Sequence, residues 1–346
     1  MTLIEKRRPA PAPGTTFAGA GERSTRTTWI VVSVVVLAAV CLSLAMSHSG
    51  LAGDARGNPA QPLRREDPLW GITNWPAVFS AIFVVVAVVL AVVFTRLSLR
   101  QRSMHFGLMV FLSVTGLSAL DPPANWVTFT VYDSQFLHFP TTWKWMSLAP
   151  LIEPCIVIPG YPMYYMAMGL LGAFFAKKLL ARSSPGSWAA RHPRTTYLGV
   201  GFLVGVVWDI PTELFMIRAY MYHYAEAWGP SFGVGHGRYP IIWGFFTAFA
   251  IAAVTALLHR DDRGRSLAHD LAEKLPGGRG TSSPRLVLAG TLFLMAMYLV
   301  PMGLFGLIRV TGLSHPNATK WHYPEAKVYD PYGHLEKAGV PGPFYK

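Results

Sequence analysis

The sequence predicts an all-α fold: one polytopic membrane helical bundle of about seven transmembrane helices. Three observations carry this. Charged residues make up 14% of the 346-residue chain, against roughly 25% in an average globular protein. Apolar residues make up 52% and fall in long blocks separated by polar spacers. Several of these blocks reach the ~18–20 residues needed to cross a ~30 Å hydrocarbon core. The only cysteines, Cys41 and Cys155, lie far apart and outside any C-x-x-C pair. A disulfide scaffold and a zinc or redox motif are thereby excluded.

The elements follow in order. Residues 1–27 are rich in Pro, Gly, Thr and Arg and are expected to form a disordered cytoplasmic tail. The bundle occupies residues 28–310, with spans at 28–47, 77–95, 104–120, 161–176, 197–220, 240–258 and 285–310. The first span exceeds a typical 7–15-residue signal-peptide core and reads as a signal anchor. The second is an uncharged Val/Ala/Leu run. The third ends at Asp121-Pro122-Pro123, where the prolines stop the helix and stiffen a turn. The fourth is short and follows the apolar but proline-broken stretch 148–160. Irregular backbone at membrane depth must be buried in protein or line a wet cavity. A re-entrant segment and a surface loop both satisfy the sequence. The fifth carries Gly201 and Gly205, a G-x-x-x-G pattern that favours close helix packing. Spans five and seven each hold a mid-span proline, Pro211 and Pro301. Residues 311–346 form an extracytoplasmic tail.

Direction follows from the basic residues. The N-terminus and the loops after spans two, four and six hold 5, 3, 5 and 6 Lys and Arg, 19 of the chain's 30. This puts the N-terminus in the cytoplasm and the C-terminus outside. The net charge of +12 is dispersed in these short loops. Gly-rich phosphate loops, RNP-like repeats and Cys/His fingers are missing, so nucleic acid is not expected as a partner. The partners expected are membrane lipid and a lipophilic small molecule.

The same topology sorts aromatic and titratable groups to the outer side: Trp126, Tyr132 and His138 after span three, Tyr222 and His223 after span five. An interfacial aromatic belt explains any one of them. It explains their density less well.

Carboxylates within spans are the most informative residues. One at the bilayer centre costs about 2.5–3.5 kcal/mol even on the lenient insertion scale. Span five holds Trp208-Asp209-Ile210-Pro211-Thr212-Glu213. Asp209 lies about 18 Å and Glu213 about 24 Å along the helix from its inner end. Four residues apart, they share a face. Pro211 between them cannot donate its backbone hydrogen bond and displaces the carbonyl of Val207. An apolar setting can divide such a pair into a protonated acid and an ionised base. A structural ion pair of Glu213 with Arg218 is the alternative. Asp121, Asn125 and Trp126 in the turn after span three are expected to line the same cavity. Glu153, alone in an apolar stretch, needs a partner or water. The catalytic candidates are therefore Asp209, Glu213, Asp121 and Glu153. The substrate-binding candidates are Asn125, Trp126, Tyr132, His138, Trp208, Tyr222 and His223. No histidine pair has the spacing of a helical metal site. Rossmann, P-loop and G-x-S-x-G motifs are missing. No metal and no cofactor are expected.

These residues resemble a known family. Asp121-Pro122-Pro123-Ala124-Asn125-Trp126 after a span, Tyr132 in the aromatic loop, Ala149-Pro150-Leu151-Ile152-Glu153-Pro154, and Asp209, Pro211 and Glu213 in span five look like the actinobacterial spirocyclases of the AveC type. The resemblance covers roughly residues 70–325. It implies a membrane enzyme of secondary metabolism that closes a spiroketal on a polyketide. Such a dehydrative closure needs an acid and a base but no redox cofactor. Two readings stay open beside it. One is a membrane cyclase or hydratase acting on an isoprenoid. The other is a proton-coupled transporter in which Asp209 and Glu213 carry protons.

Overall fold

The computed structural model describes residues 69–234, 237–276, 282–317, 328–339 and 344–345. The predicted tail 1–27, the predicted span 28–47 and residues 318–327 lie outside them.

Helix α1, Trp75–Gln101, opens at Asn74, whose side chain accepts a hydrogen bond from the Ala77 N–H at 3.0 Å. Asparagine satisfies an orphan first-turn donor there, and Pro76 lacks the N–H that would be orphaned anyway. Its most apolar window is only 11% buried. Val84, Val85, Val88, Val89, Val92 and Val93 all face outward, as expected of a helix whose solvent is hydrocarbon.

Helix α2, Phe106–Leu117, does not stop at the prolines. A 3-10 turn over Ser118–Leu120 hands it to helix α3, Asp121–Thr128. The expectation of a helix stop is corrected. Pro122 and Pro123 sit in the first turn of α3, where a missing N–H costs nothing. Asp121 thereby becomes a first-turn acid at a helix N-terminus, a favourable place for it.

The broken stretch before the fourth span is not a surface loop. Leu151, Ile152 and Glu153 are each 1–3% exposed. The backbone lies against residues 137–139, with Phe139 N–H donating to the Glu153 carbonyl (2.9 Å) and Cys155 N–H to that of Leu137 (2.7 Å). Helix then runs almost unbroken from 157 to 182: α4, Val157–Tyr161, a wide π-type turn at Pro162–Met166, and α5, Ala167–Arg182. A short helix α6, Trp188–Arg191, precedes the long α7, Pro193–Arg218.

Helix α8, Trp243–Leu258, is the buried centre of the bundle. Helices α5 and α7 pack on it, as does α10, Ser283–Val310, which also carries the amphipathic helix α9, Leu267–Lys274. The contact between α7 and α8 is backbone-close. A Cβ on Gly205 would lie 2.6 Å from the Ala248 Cα, and one on Gly201 2.4 Å from the Thr255 hydroxyl. Gly205→Val is therefore expected to destabilise by about 1–3 kcal/mol through overpacking. Gly199→Val, on the open side of the same helix, is expected to be near neutral, since nothing lies within 4 Å of a Cβ there. Thermal unfolding of the two variants in detergent checks this.

The fold is mostly helical, with four helices long and apolar enough to cross a membrane: 75–101, 106–128, 193–218 and 283–310. The predicted spans 161–176 and 240–258 are helical as well, but α5 and α8 each have 16 residues. The all-α expectation is corrected by short strands at one end of the bundle. Strand β1, Thr130–Tyr132, pairs antiparallel with β2, Tyr222–Tyr224. Strand β3, Glu226–Ala227, pairs with residues 315–316. Strands β4, Ser231–Val234, and β5, Gly237–Pro240, form a hairpin. Strands β1, β2 and β3 are mostly buried, so their backbone groups must find partners in protein. Pairing as strands provides them.

Candidate active site

All the predicted carboxylates gather at the strand-covered end. Asp121 and Asn125 come from successive turns of α3 and share a face at i,i+4. The Asn125 amide nitrogen donates to Asp121 Oδ2 at 2.8 Å and to Glu153 Oε2 at 2.9 Å, so one side chain bridges two acids. The Tyr161 hydroxyl donates to Asp121 Oδ1 at 2.6 Å and meets the Tyr298 hydroxyl at 3.1 Å. Glu153 Oε1 is buried with no hydrogen-bond partner. Burial, and next the Asp121 carboxylate, push the Glu153 carboxyl well above the usual range.

The second group is built on α7. Glu213 accepts a close hydrogen bond from the Tyr222 hydroxyl and another from Tyr224 at 2.8 Å. The alternation of β2 aims both tyrosines at it and turns His223 to the other side. Its partners are these phenols rather than Arg218. Burial, and next the Glu213 charge, hold Tyr222 and Tyr224 well above the ordinary phenol range, so both remain donors. Asp209 is 0% exposed. It accepts from Tyr239 at 2.6 Å and from Tyr164 at 3.4 Å. Gly244 makes room for this: a Cβ there would stand 2.6 Å from the Tyr239 hydroxyl. Thr212 donates to the Trp208 carbonyl at 2.8 Å, one turn before it and beside the backbone opened by Pro211.

Two adjoining chambers lie between these groups. Their cavity volumes are about 90 and 120 Å³. Asp121 from α3 and Glu213 from α7 line both. Asn125 lines the first, and Tyr132 and Tyr222 line both. The other candidates stand elsewhere. Glu153 is behind Asn125, and Asp209 lines neither chamber. Trp126, on another face of α3 from Asn125, packs at a tilt against Tyr329 instead, ring centroids 5.4 Å apart. His138 is buried with its Nδ1 2.8 Å from the Phe139 carbonyl. Trp208 lies beside Tyr164 at 6.4 Å without reaching a chamber. The sequence reading missed Tyr161, Tyr164, Tyr165 and Tyr298, which sit within apolar helical runs. Their signal was available: phenol hydroxyls there need partners just as carboxylates do. Among the described residues no three His, Cys, Asp or Glu side chains converge as a metal would require.

Fold and site together define an apolar helical bundle that encloses a carboxyl- and phenol-lined chamber at one end. A model of the family described as Spirocyclase AveC-like matches residues 100–329, about two thirds of the chain. The chain belongs to this AveC-like spirocyclase family, which supports a cyclase role. Searches of curated proteins and of solved structures gave no match.

Proposed function

We propose that the protein is a membrane-embedded cyclase that forms a spiroketal from a dihydroxy-ketone polyketide by acid/base-catalysed dehydrative ring closure. One observation carries the reading: Asp121 of α3 and Glu213 of α7 line the same chamber, and the carboxyl of each is held by neutral donors. One substrate hydroxyl adds to the ketone to give a hemiketal. One carboxyl then protonates the hemiketal hydroxyl, which leaves as water. The resulting oxocarbenium ion is flanked by carboxylate and phenol faces, both of which stabilise a cation. The second hydroxyl attacks it and gives its proton to the other carboxyl. One water is lost and no electron changes hands. Asn125 and Glu153 hold Asp121 in place, and Asp209 orders Tyr164 and Tyr239 behind Glu213. Purified protein given a synthetic dihydroxy-ketone should yield one spiroketal stereoisomer faster than acid alone. A product ratio equal to that of the uncatalysed reaction sinks the proposal.

The protein is read as a multi-pass cell-membrane protein with seven spans. Beside the four long helices, the run 157–182 is 26 residues and α8 lies at the bundle centre; the seventh span is the one expected from the sequence at 28–47, outside the described residues. With the N-terminus inside, the chambers lie at the outer end. A phosphatase reporter fused after Lys346 should be active and a cytoplasmic fluorescent reporter dark. The reverse pattern overturns this orientation.

A further inference from the structure

The two chambers meet at a neck formed by Asp121, Tyr132, Tyr165, Glu213, Tyr222 and Thr247, and beyond it their chemistry diverges. The first chamber is lined by hydrogen-bonding groups such as Asn125, Thr128, Thr130, Tyr224 and Tyr298. The second is lined by Phe83, Phe136, Ile156, Val157, Met216 and Met221. A substrate seated across the neck would meet polar walls on one side and hydrocarbon walls on the other.

The outer wall of the apolar chamber comes from α1. Its stripe of Trp75, Phe79 and Phe83 anchors on Phe215 of α7, with ring centroids 5.1 Å apart for Trp75 and 5.5 Å for Phe79. Phe83 is buried and lies against Gly160 of α4. A Cβ on Gly160 would come within 3.1 Å of the Phe83 ring. Phe83 is also the one lining residue of either chamber that precedes the family-matched stretch 100–329. The wall of this chamber is thus set by a helix outside the segment that supplies the acids.

We propose that the second chamber is an aliphatic subsite. It takes an alkyl arm of a lipophilic ketone while the carbonyl and hydroxyls sit at the neck between Asp121 and Glu213. Phe83 and Gly160 set how long that arm can be. This assignment rests on the cyclase reading of the same site. An acyl tail of a membrane lipid offers the same chemistry as a substrate arm. The continuity of the chamber with the acid-lined neck favours the substrate.

The test uses the full chain in nanodiscs and a series of unreactive dialkyl ketones, one arm held constant and the other lengthened one methylene at a time. Binding is followed by titration calorimetry. Burial of each added methylene is worth about fourfold in affinity. Wild type should gain about that factor per methylene until the chamber is full. Gly160→Leu should flatten the series to the background of partition into lipid. Phe83→Ala should extend the rise to arms at which wild type levels off. Val84→Ala, on the outward face of α1, should match wild type. An added lysophospholipid should leave the series unchanged. The same arm dependence in wild type, Gly160→Leu and Phe83→Ala overturns the subsite, as does loss of ketone binding to the lysophospholipid. Arm-dependent binding without turnover of any dihydroxy-ketone overturns the spiroketal reading and leaves the subsite standing. Turnover indifferent to arm length does the reverse.

Discussion

Asp121→Asn and Glu213→Gln are each expected to lower kcat/KM for spiroketal formation by about two to four orders of magnitude, the usual contribution of general acid–base catalysis. Both substitutions keep shape and hydrogen bonding while removing proton exchange. The side chain at 121 would still accept from Tyr161, and rotation of the Asn125 amide restores the second bond. The one at 213 would still accept from Tyr222 and Tyr224. The fold should therefore survive, and melting measured beside the rate separates lost chemistry from lost protein. Asp209→Asn is expected to stay within about tenfold, because a proton donor or acceptor must come within hydrogen-bond reach of the substrate. If Asp209→Asn falls with Glu213→Gln while Asp121→Asn keeps full activity, the proton-handling pair lies on α7 alone.

The largest stability effect is expected at Arg309. Its guanidinium is 3% exposed, over the rings of Phe129 (4.3 Å), Trp126 (5.0 Å) and Tyr329 (5.6 Å). It lies 3.7 Å from Glu226, itself 4% exposed. Glu226 also accepts from the Ser314 hydroxyl at 2.5 Å. This cluster joins α3, the loop after α7, the end of α10 and residue 329 into one unit. Arg309→Met leaves the Glu226 charge buried without its cation, and breaking a buried pair in this way costs about 3–5 kcal/mol. The double variant Arg309→Met/Glu226→Gln should recover most of the loss, since no net charge then stays buried. Equilibrium unfolding in detergent measures both. An unchanged midpoint for Arg309→Met removes the pair from the stability of this end.

Much of the bundle was legible because hydrophobic blocks and small-residue spacing are local properties. The blocks mark α1, α2, α7 and α10, and G-x-x-x-G marks the face of α7 that meets α8. The same spacing explains what the sequence left open. Gly205, Asp209 and Glu213 follow one another at four-residue intervals on that face, each about 6 Å further along. Gly205 is pressed on Ala248, and one turn later Asp209 is still covered, by Gly244 and Tyr239. Only Glu213 clears the contact and reaches the chambers. Sharing a face was visible in the sequence, but where the neighbouring helix ends along that face was not. Trp126 was misplaced for a related reason. Read as part of a turn, residues 121–126 point to one cavity. Wound as α3, they diverge, and Asn125 and Trp126 part company. The strands escaped notice because three-residue segments such as Thr130–Tyr132 are too short to show a period.

Among the described residues, neither chamber has a lysine, arginine or histidine in its lining. The acids are held by phenols, an amide and each other's neighbours, all electrically neutral. The described residues therefore give the resting site no built-in counterion. Any fixed positive charge facing Asp121 or Glu213 must arrive with the reactant. In a dehydrative closure that charge is the oxocarbenium ion itself, which would complete an ion pair the protein leaves half made. Protonation of the leaving hydroxyl and charge balance in the chamber then become one event, and a protonated cyclic amine of matching shape becomes the natural inhibitor of such a site.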